Sequence, residues 1–285
     1  MKIAILLAGQ VRSWNVCSKV FELYNNIFPD IEFDFFLSTW DDNYDEVKYD
    51  MDSYSFITKY EFHDQKEVSY TEQLLCHAYL CQHANNLKNK YAKEHNIEYD
   101  CVIATRPDIF FSLDILSNAR DLILRSKNYK KADKFILNKN VVYTGTGVSP
   151  YRKIDPDGNE VEFAYMSDLF VLGTNYSVDK FSNFYDNISK YKFNNRVIGH
   201  VSGATYLVDQ KIMNCRIEGF NQIIRPVHNE LILNLYKNNK LQNIYDSSKD
   251  FRYDFEEQLR ELKTKKFDKS TIKMINPYTN EINWN

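Results

Sequence analysis

Arg106, Pro107 and Asp108 close an apolar run, Tyr99-Asp100-Cys101-Val102-Ile103-Ala104-Thr105, and are followed at once by Ile109, Phe110 and Phe111. A buried parallel strand reads as a near-continuous hydrophobic run. Pro107 has no N–H to give to a ladder, so this strand is expected to stop near Thr105. Arg106 and Asp108 then project from its carboxyl end, the side on which open α/β sheets bind ligands. An arginine beside an aspartate can hold a phosphate together with a divalent metal or a ribose hydroxyl; equally, the two can pair and pin a loop.

The elements that must position this pair begin at the amino terminus. Residues 1–8 are a short apolar strand that runs into Gly9-Gln10-Val11-Arg12, and Val16, Val20, Leu23, Tyr24, Ile27 and Phe28 follow at helical spacing. A second apolar run, residues 33–40, comes about thirty residues after the first, the length of one βαβ unit. Gly9 lets backbone approach a ligand closely and Arg12 can reach a phosphate. No second or third glycine stands at fingerprint spacing, which argues against a G-x-G-x-x-G dinucleotide site.

Taken in order, Lys2 to Arg12 (K-I-A-hydrophobic-L-x-x-G-Q-x-R), Ser38-Thr39-Trp40, Thr105 to Phe111 (T-R-P-D-hydrophobic-F-F) and Asp168 to Gly173 (D-x-F-hydrophobic-hydrophobic-G) resemble a group of glycosyltransferases of the GT-A type from bacterial polysaccharide clusters and large DNA viruses. The resemblance spans residues 1–210 or so. It implies an α/β, GT-A-like (Rossmann-like) fold: a mostly parallel central sheet flanked by helices, with a C-terminal helical extension. It also implies a nucleoside-diphosphate-sugar donor held by Gly9, Gln10, Arg12, Thr39, Arg106 and Asp108, and a glycan or lipid-linked acceptor. Asp108 would be the metal ligand, for Mn²⁺ or Mg²⁺, in the place of an Asp-x-Asp motif. Here the position two before it is Arg106, which can neutralise a diphosphate directly, so a metal-dependent and a metal-free site both remain open. On the acceptor side the resemblance singles out His200 for contact with metal or diphosphate.

Asp168 stands at the head of an apolar run, residues 168–173. Burial beside such a strand raises a carboxyl toward the range that a general base needs. A sugar transfer needs a base for the acceptor hydroxyl and a positive group for the departing diphosphate, roles that Asp168 and either Arg106 or a metal can fill. Asp168 can also merely cap a turn or orient Arg106. Two other classes fit the same elements: a nucleotidyltransferase, which needs a glycine-rich basic loop denser than residues 9–12, and a non-catalytic nucleotide- or carbohydrate-binding protein.

Composition narrows the partners. The 285 residues carry 36 basic and 39 acidic side chains, a formal charge of −3, and no basic cluster interleaved with aromatics, so nucleic acid is not an expected partner. Five cysteines, an odd number without framework spacing, read as reduced thiols of a cytoplasmic protein. No run approaches the length of a membrane-spanning helix, although peripheral contact suits an enzyme acting on a lipid-linked acceptor. Residues 1–240 are expected to form the nucleotide-sugar-binding domain and residues 241–285 a helical extension packed on it.

Further elements follow from local pattern. Ser69 to Gln73 read as a polar start with capping potential for a long helix through about His95, on which His77 and Cys81 fall at i, i+4, and residues 135–137 read as a strand. Residues 143–150 and 155–159 read as turn-rich pieces of a lid over the donor. Helical spacing recurs over residues 176–191 and from Gly199, and the acidic stretch after Trp40 reads as a solvated loop.

Overall fold

In a computed structural model of the chain, residues 1–11, 14–41, 51–64, 73–111, 120–121, 123, 137–144, 151–154, 160–163, 169–191, 199–216 and 221–223 are described. The chain divides into two units, Met1–Asn229 and Glu230–Asn285, and the described residues all belong to the first. The expected C-terminal extension therefore lies outside them.

The strands are β1 (Lys2–Ala8), β2 (Glu32–Trp40), β3 (Ile57–His63), β4 (Cys101–Thr105), β5 (Ile109–Phe111), β6 (Val141–Thr144), β7 (Tyr151–Ile154), β8 (Glu160–Phe163), β9 (Phe170–Gly173), β10 (Met213–Arg216) and β11 (Asn221–Ile223). The helices are α1 (Trp14–Ile27), α2 (Gln73–His95), α3 (Asn175–Ser182), α4 (Phe184–Asn187) and α5 (Gly199–Asp209). Seven strands form one sheet in the order β3-β2-β1-β4-β9-β6-β10. Six run in the same direction, and β9 alone is antiparallel to both of its neighbours. This is the mostly parallel, helix-flanked, Rossmann-like sheet expected. Two small antiparallel pairs, β5 with β11 and β7 with β8, stand apart from it.

Both faces of the sheet are covered, which is why β1 and β4 read as unbroken apolar runs. On one face, α1 lays Trp14, Phe21 and Tyr24 against Phe33 and Phe35 of β2 and against Phe56, in a chain of ring contacts 5.1–6.4 Å between centroids. On the other, Ala4, Leu6 and Ala8 of β1 and Phe36 and Trp40 of β2 pack with Ala78, Leu80, Cys81 and Ala84 of α2. Lys88 of α2 is wholly buried, its ammonium bonded to Asp179 and Asn175 at the start of α3, and burial pushes its pKa down. The five cysteines are free thiols. Among the described residues no helix is long and apolar enough to cross a membrane.

Several local expectations need correction. Leu137 is not in a strand; the pairing segment is β6, so Tyr143 and Thr144, read as the start of a loop, are buried ladder residues. The reason is local: Val141, Val142, Tyr143 and Thr144 are β-branched or aromatic, and the turn glycines begin only at Gly145. The helix expected over residues 176–191 breaks at Asn183 into α3, α4 and a 3₁₀ turn, Ile188–Tyr191. The strand expected from Asp168 begins at Phe170.

Gly173 owes its place in the last motif to packing. A Cβ there would stand 2.3 Å from Ser177 Oγ and 3.3 Å from the Val141 carbonyl oxygen, and the Ser177 hydroxyl is itself held by a bond to the Thr174 carbonyl. Gly173→Ala should therefore cost about 1–3 kcal/mol of stability, as overpacking does. A thermal melt checks this, and an unchanged midpoint would remove the packing explanation.

Candidate functional site

The connection from β1 to β2 through α1 moves the chain to one side of β1, while β4 lies on the other side, so the strand order reverses between β1 and β4. Ligands in open α/β sheets sit in the crevice at such a switch point, outside the carboxyl ends of the strands. At this switch point stand Gly9 and Gln10, just after β1, and Arg106, Pro107 and Asp108, just after β4.

Gly9 has φ +141°, a backbone conformation that L side chains rarely adopt, and its N–H donates to the Ser38 carbonyl at 3.2 Å, which ties the turn to β2. A Cβ on Gly9 would lie 3.4 Å from Pro107 Cδ, so a side chain at this turn would meet the turn after β4 across the switch point. β4 ends at Thr105, as the proline requires. The Arg106 guanidinium then folds back onto Asp108 as a fork: Nε donates to Oδ1 at 2.8 Å and Nη2 to Oδ2 at 2.9 Å. Asp108 is completely buried, whereas Arg106 keeps 20% of its side chain exposed. The carboxylate thus anchors a guanidinium that is partly exposed. Beneath them, burial and then the Asp108 charge push the pKa of the Cys17 thiol of α1 well up.

β9 enters at the same rim. Thr105 Oγ1 donates to the Leu169 carbonyl at 2.8 Å and Thr105 pairs with Phe170, so the residue following Asp168 is pinned to the end of β4. Thr39, also expected at the site, is completely buried near the end of β2, and its Oγ1 has no hydrogen-bond partner among the described residues. Arg12 and Asp168 lie outside the described residues, as do the glycines and turn residues of the expected lid. His200 falls in the first turn of α5, and its side chain is outside them. The structure therefore brings Gly9, Gln10, Arg106 and Asp108 together, with Thr39 on the neighbouring strand.

Among the described residues, Asp108 does not fit as the expected ligand for Mn²⁺ or Mg²⁺. These ions need several oxygen ligands, and Asp108 is buried with both oxygens accepting from Arg106. A group of metal-ligating types does occur elsewhere, at Glu61, His63 and His83 on β3 and α2. The sequence reading passed over Glu61 and His63 because it did not recognise β3; the alternation of Thr58, Tyr60 and Phe62 with polar residues was the available signal. His77 and Cys81 do approach, Nε2 to Sγ at 3.5 Å, as their i, i+4 spacing requires.

At the opposite, amino-terminal rim the acidic residues are structural. Lys2 bonds to Glu32 and lies 3.2 Å from Asp34, Tyr99 donates to Asp34 at 2.7 Å, and Asp100 receives the Lys2 N–H at 2.9 Å.

No protein-family model matches the chain, and no curated protein matches it. Among solved structures it is similar to the galactosyltransferase LgtC in complex with donor and acceptor sugar analogues, with 11% identity over 76% of this chain and 73% of that one and a TM-score of 0.37. An active-site variant of LgtC gives 11%, 76%, 72% and 0.38. The 2-C-methyl-D-erythritol 4-phosphate cytidylyltransferase IspD of Francisella tularensis gives 12% identity over 84% of this chain and 99% of that one, with a TM-score of 0.37.

Proposed function

We propose that this protein is a glycosyltransferase that moves a sugar from a nucleoside-diphosphate-sugar donor to a glycan or lipid-linked acceptor, with the donor diphosphate lying in the crevice between β1 and β4. The observation that carries this reading is the Arg106 fork, fixed by a fully buried carboxylate at a topological switch point and set against a glycine turn. The Gly9 turn brings backbone to the ligand, with Gln10 and Arg12 beside it, and the Thr39 hydroxyl is a polar group on the next strand. Arg106 bears on the diphosphate, and Asp108 is the positioning residue that holds the guanidinium planar and in place.

The acceptor hydroxyl oxygen forms the new bond to the anomeric carbon as the bond from that carbon to the diphosphate oxygen breaks. The hydroxyl proton passes to Asp168, and the electron pair leaves with the diphosphate, whose growing charge Arg106 stabilises. His200 is assigned to the acceptor or diphosphate side. No step is routed through a divalent ion, because Asp108, the expected ligand, has both oxygens engaged by Arg106.

A thermal-shift panel of UDP, GDP, CMP and dTDP with their sugars, run with Mn²⁺ and with EDTA, tests this. Binding to the native state raises the melting midpoint by mass action, by about 2.7 kcal/mol of stability at a hundredfold excess over Kd. One nucleotide family should raise it equally in Mn²⁺ and in EDTA. A shift seen with Mn²⁺ alone would contradict the metal-free crevice, and no shift with any nucleotide would remove the glycosyltransferase reading.

A further inference from the structure

The other carboxyl-end feature lies at the edge of the sheet. β3 pairs in parallel with β2 so that Glu61 stands beside Ser38 and His63 beside Trp40, on the face covered by α2, which contributes His83. Each of Glu61, His63 and His83 offers a ligand atom within 4.8 Å of the other two. Glu61 Oε2 lies 3.6 Å from His83 Nδ1 and 3.7 Å from His63 Nε2. Tetrahedral coordination at metal–ligand distances of about 2.0–2.1 Å separates ligand atoms by about 3.3 Å, so the two carboxylate–imidazole gaps are near the required size without any ion to draw them in.

The surroundings are those of an oriented ligand set. Nδ1 of His63 lies 3.3 Å from the Tyr79 hydroxyl, which fixes the ring and leaves Nε2 to face Glu61. Ser38 Oγ, 3.0 Å from that Nε2, is the bond an ion would displace. The Tyr79 ring lies 4.3 Å from the His83 ring and stacks on Trp40, 5.5 Å away at 9°, which walls the group on its inner side. His63 is buried, while His83 and Glu61 keep 28% and 43% of their side chains exposed, so an ion has a dry inner ligand and an open outer approach.

We infer that Glu61, His63 and His83 form a binding site for a divalent transition metal, Zn²⁺ by ligand type, with a fourth position open to solvent. Two imidazoles and one carboxylate suit Zn²⁺ and are too poor in oxygen for Mg²⁺ or Ca²⁺. The site is independent of the proposed donor crevice: β2 lies between β3 and β1, and none of its residues belongs to the Arg106–Asp108 pair. Bound metal would clip the edge strand to α2 and hold one activated or exchangeable water at the rim.

The full-length chain, tag-free and freed of metal by chelation, should take up one equivalent of Zn²⁺ in a calorimetric titration and melt at a higher temperature when loaded. Co²⁺ in its place should give the strong visible absorption of a tetrahedral centre. His83→Ala and Glu61→Gln, at partly exposed positions that leave the core intact, should each weaken binding by about 100-fold or more, since even loss of an outer-shell partner costs about 10- to 100-fold. Cys81→Ser, which removes the nearby thiol, should leave the affinity unchanged. Failure of the wild-type chain to bind, or affinity that survives both His83→Ala and Glu61→Gln, or that is lost in Cys81→Ser, would overturn the assignment.

Discussion

Asp108→Ala is expected to destabilise the fold by about 3 kcal/mol, or roughly 6–12 °C in melting temperature, and to slow sugar transfer by about 100-fold. The stability loss follows from the fork: both Asp108 oxygens accept from Arg106, and Asp108 is fully buried, so its removal takes away two charge-assisted bonds to a largely buried guanidinium. Breaking a buried pair from one side costs about 3–5 kcal/mol, and the residual exposure of Arg106 puts this pair at the low end. The loss in transfer follows from position, since an ångström of freedom at the diphosphate contact is worth about two orders of magnitude. Replacing both partners, as Arg106→Met with Asp108→Leu, removes the charges together and should restore most of the stability. Melting curves of the single and double variants check the pairing, and a midpoint for Asp108→Ala equal to wild type would deny it.

The second large effect belongs to the base. Asp168→Asn should keep the donor affinity of the wild type yet lose about 10²- to 10⁴-fold in transfer rate, the usual contribution of a positioned general base. The acid limb of the rate–pH profile should vanish with it. Initial rates of nucleotide release, measured beside donor binding on the same preparation, separate the two quantities. Retained transfer would take Asp168 out of that role and leave it the turn-capping residue that its sequence position equally allows.

Much of the frame that carries these residues was legible because its signals are local. An apolar run with a proline behind it places the end of β4 at Thr105, and the spacing of Val16, Val20 and Tyr24 gives α1 its buried face. What escaped was set by partners distant in the chain. β3 is an edge strand that alternates polar with aromatic side chains, and one of its residues, Thr58, bonds the Phe35 N–H through its side chain at a register shift rather than through a regular ladder. The reversed direction of β9 has no local signature at all, because only its neighbours β4 and β6 define it.

The site divides in the same way. Arg106 and Asp108 were visible as chemistry, and both readings of them, ligand contact or a pair pinning a loop, were open; the coordinates place the two side chains on each other. That outcome required Asp108 to turn inward under α1 while Arg106 stayed at the surface, a packing fact that residues two apart cannot announce. Glu61, His63 and His83 meet only because α2 folds back over the edge strand. Their separation in sequence, without a recognised β3, concealed them.

The most direct measurement of the central claim is a calorimetric titration of the nucleoside diphosphate selected by the thermal-shift panel into the wild-type chain and into the Arg106→Met, Asp108→Leu double variant, chosen because it should melt close to wild type. Loss of charge-assisted bonds worth about 1.5–3 kcal/mol predicts affinity weaker by about 10- to 100-fold in the double variant. Equal affinity in the two proteins would place the nucleotide elsewhere and contradict a donor site between β1 and β4.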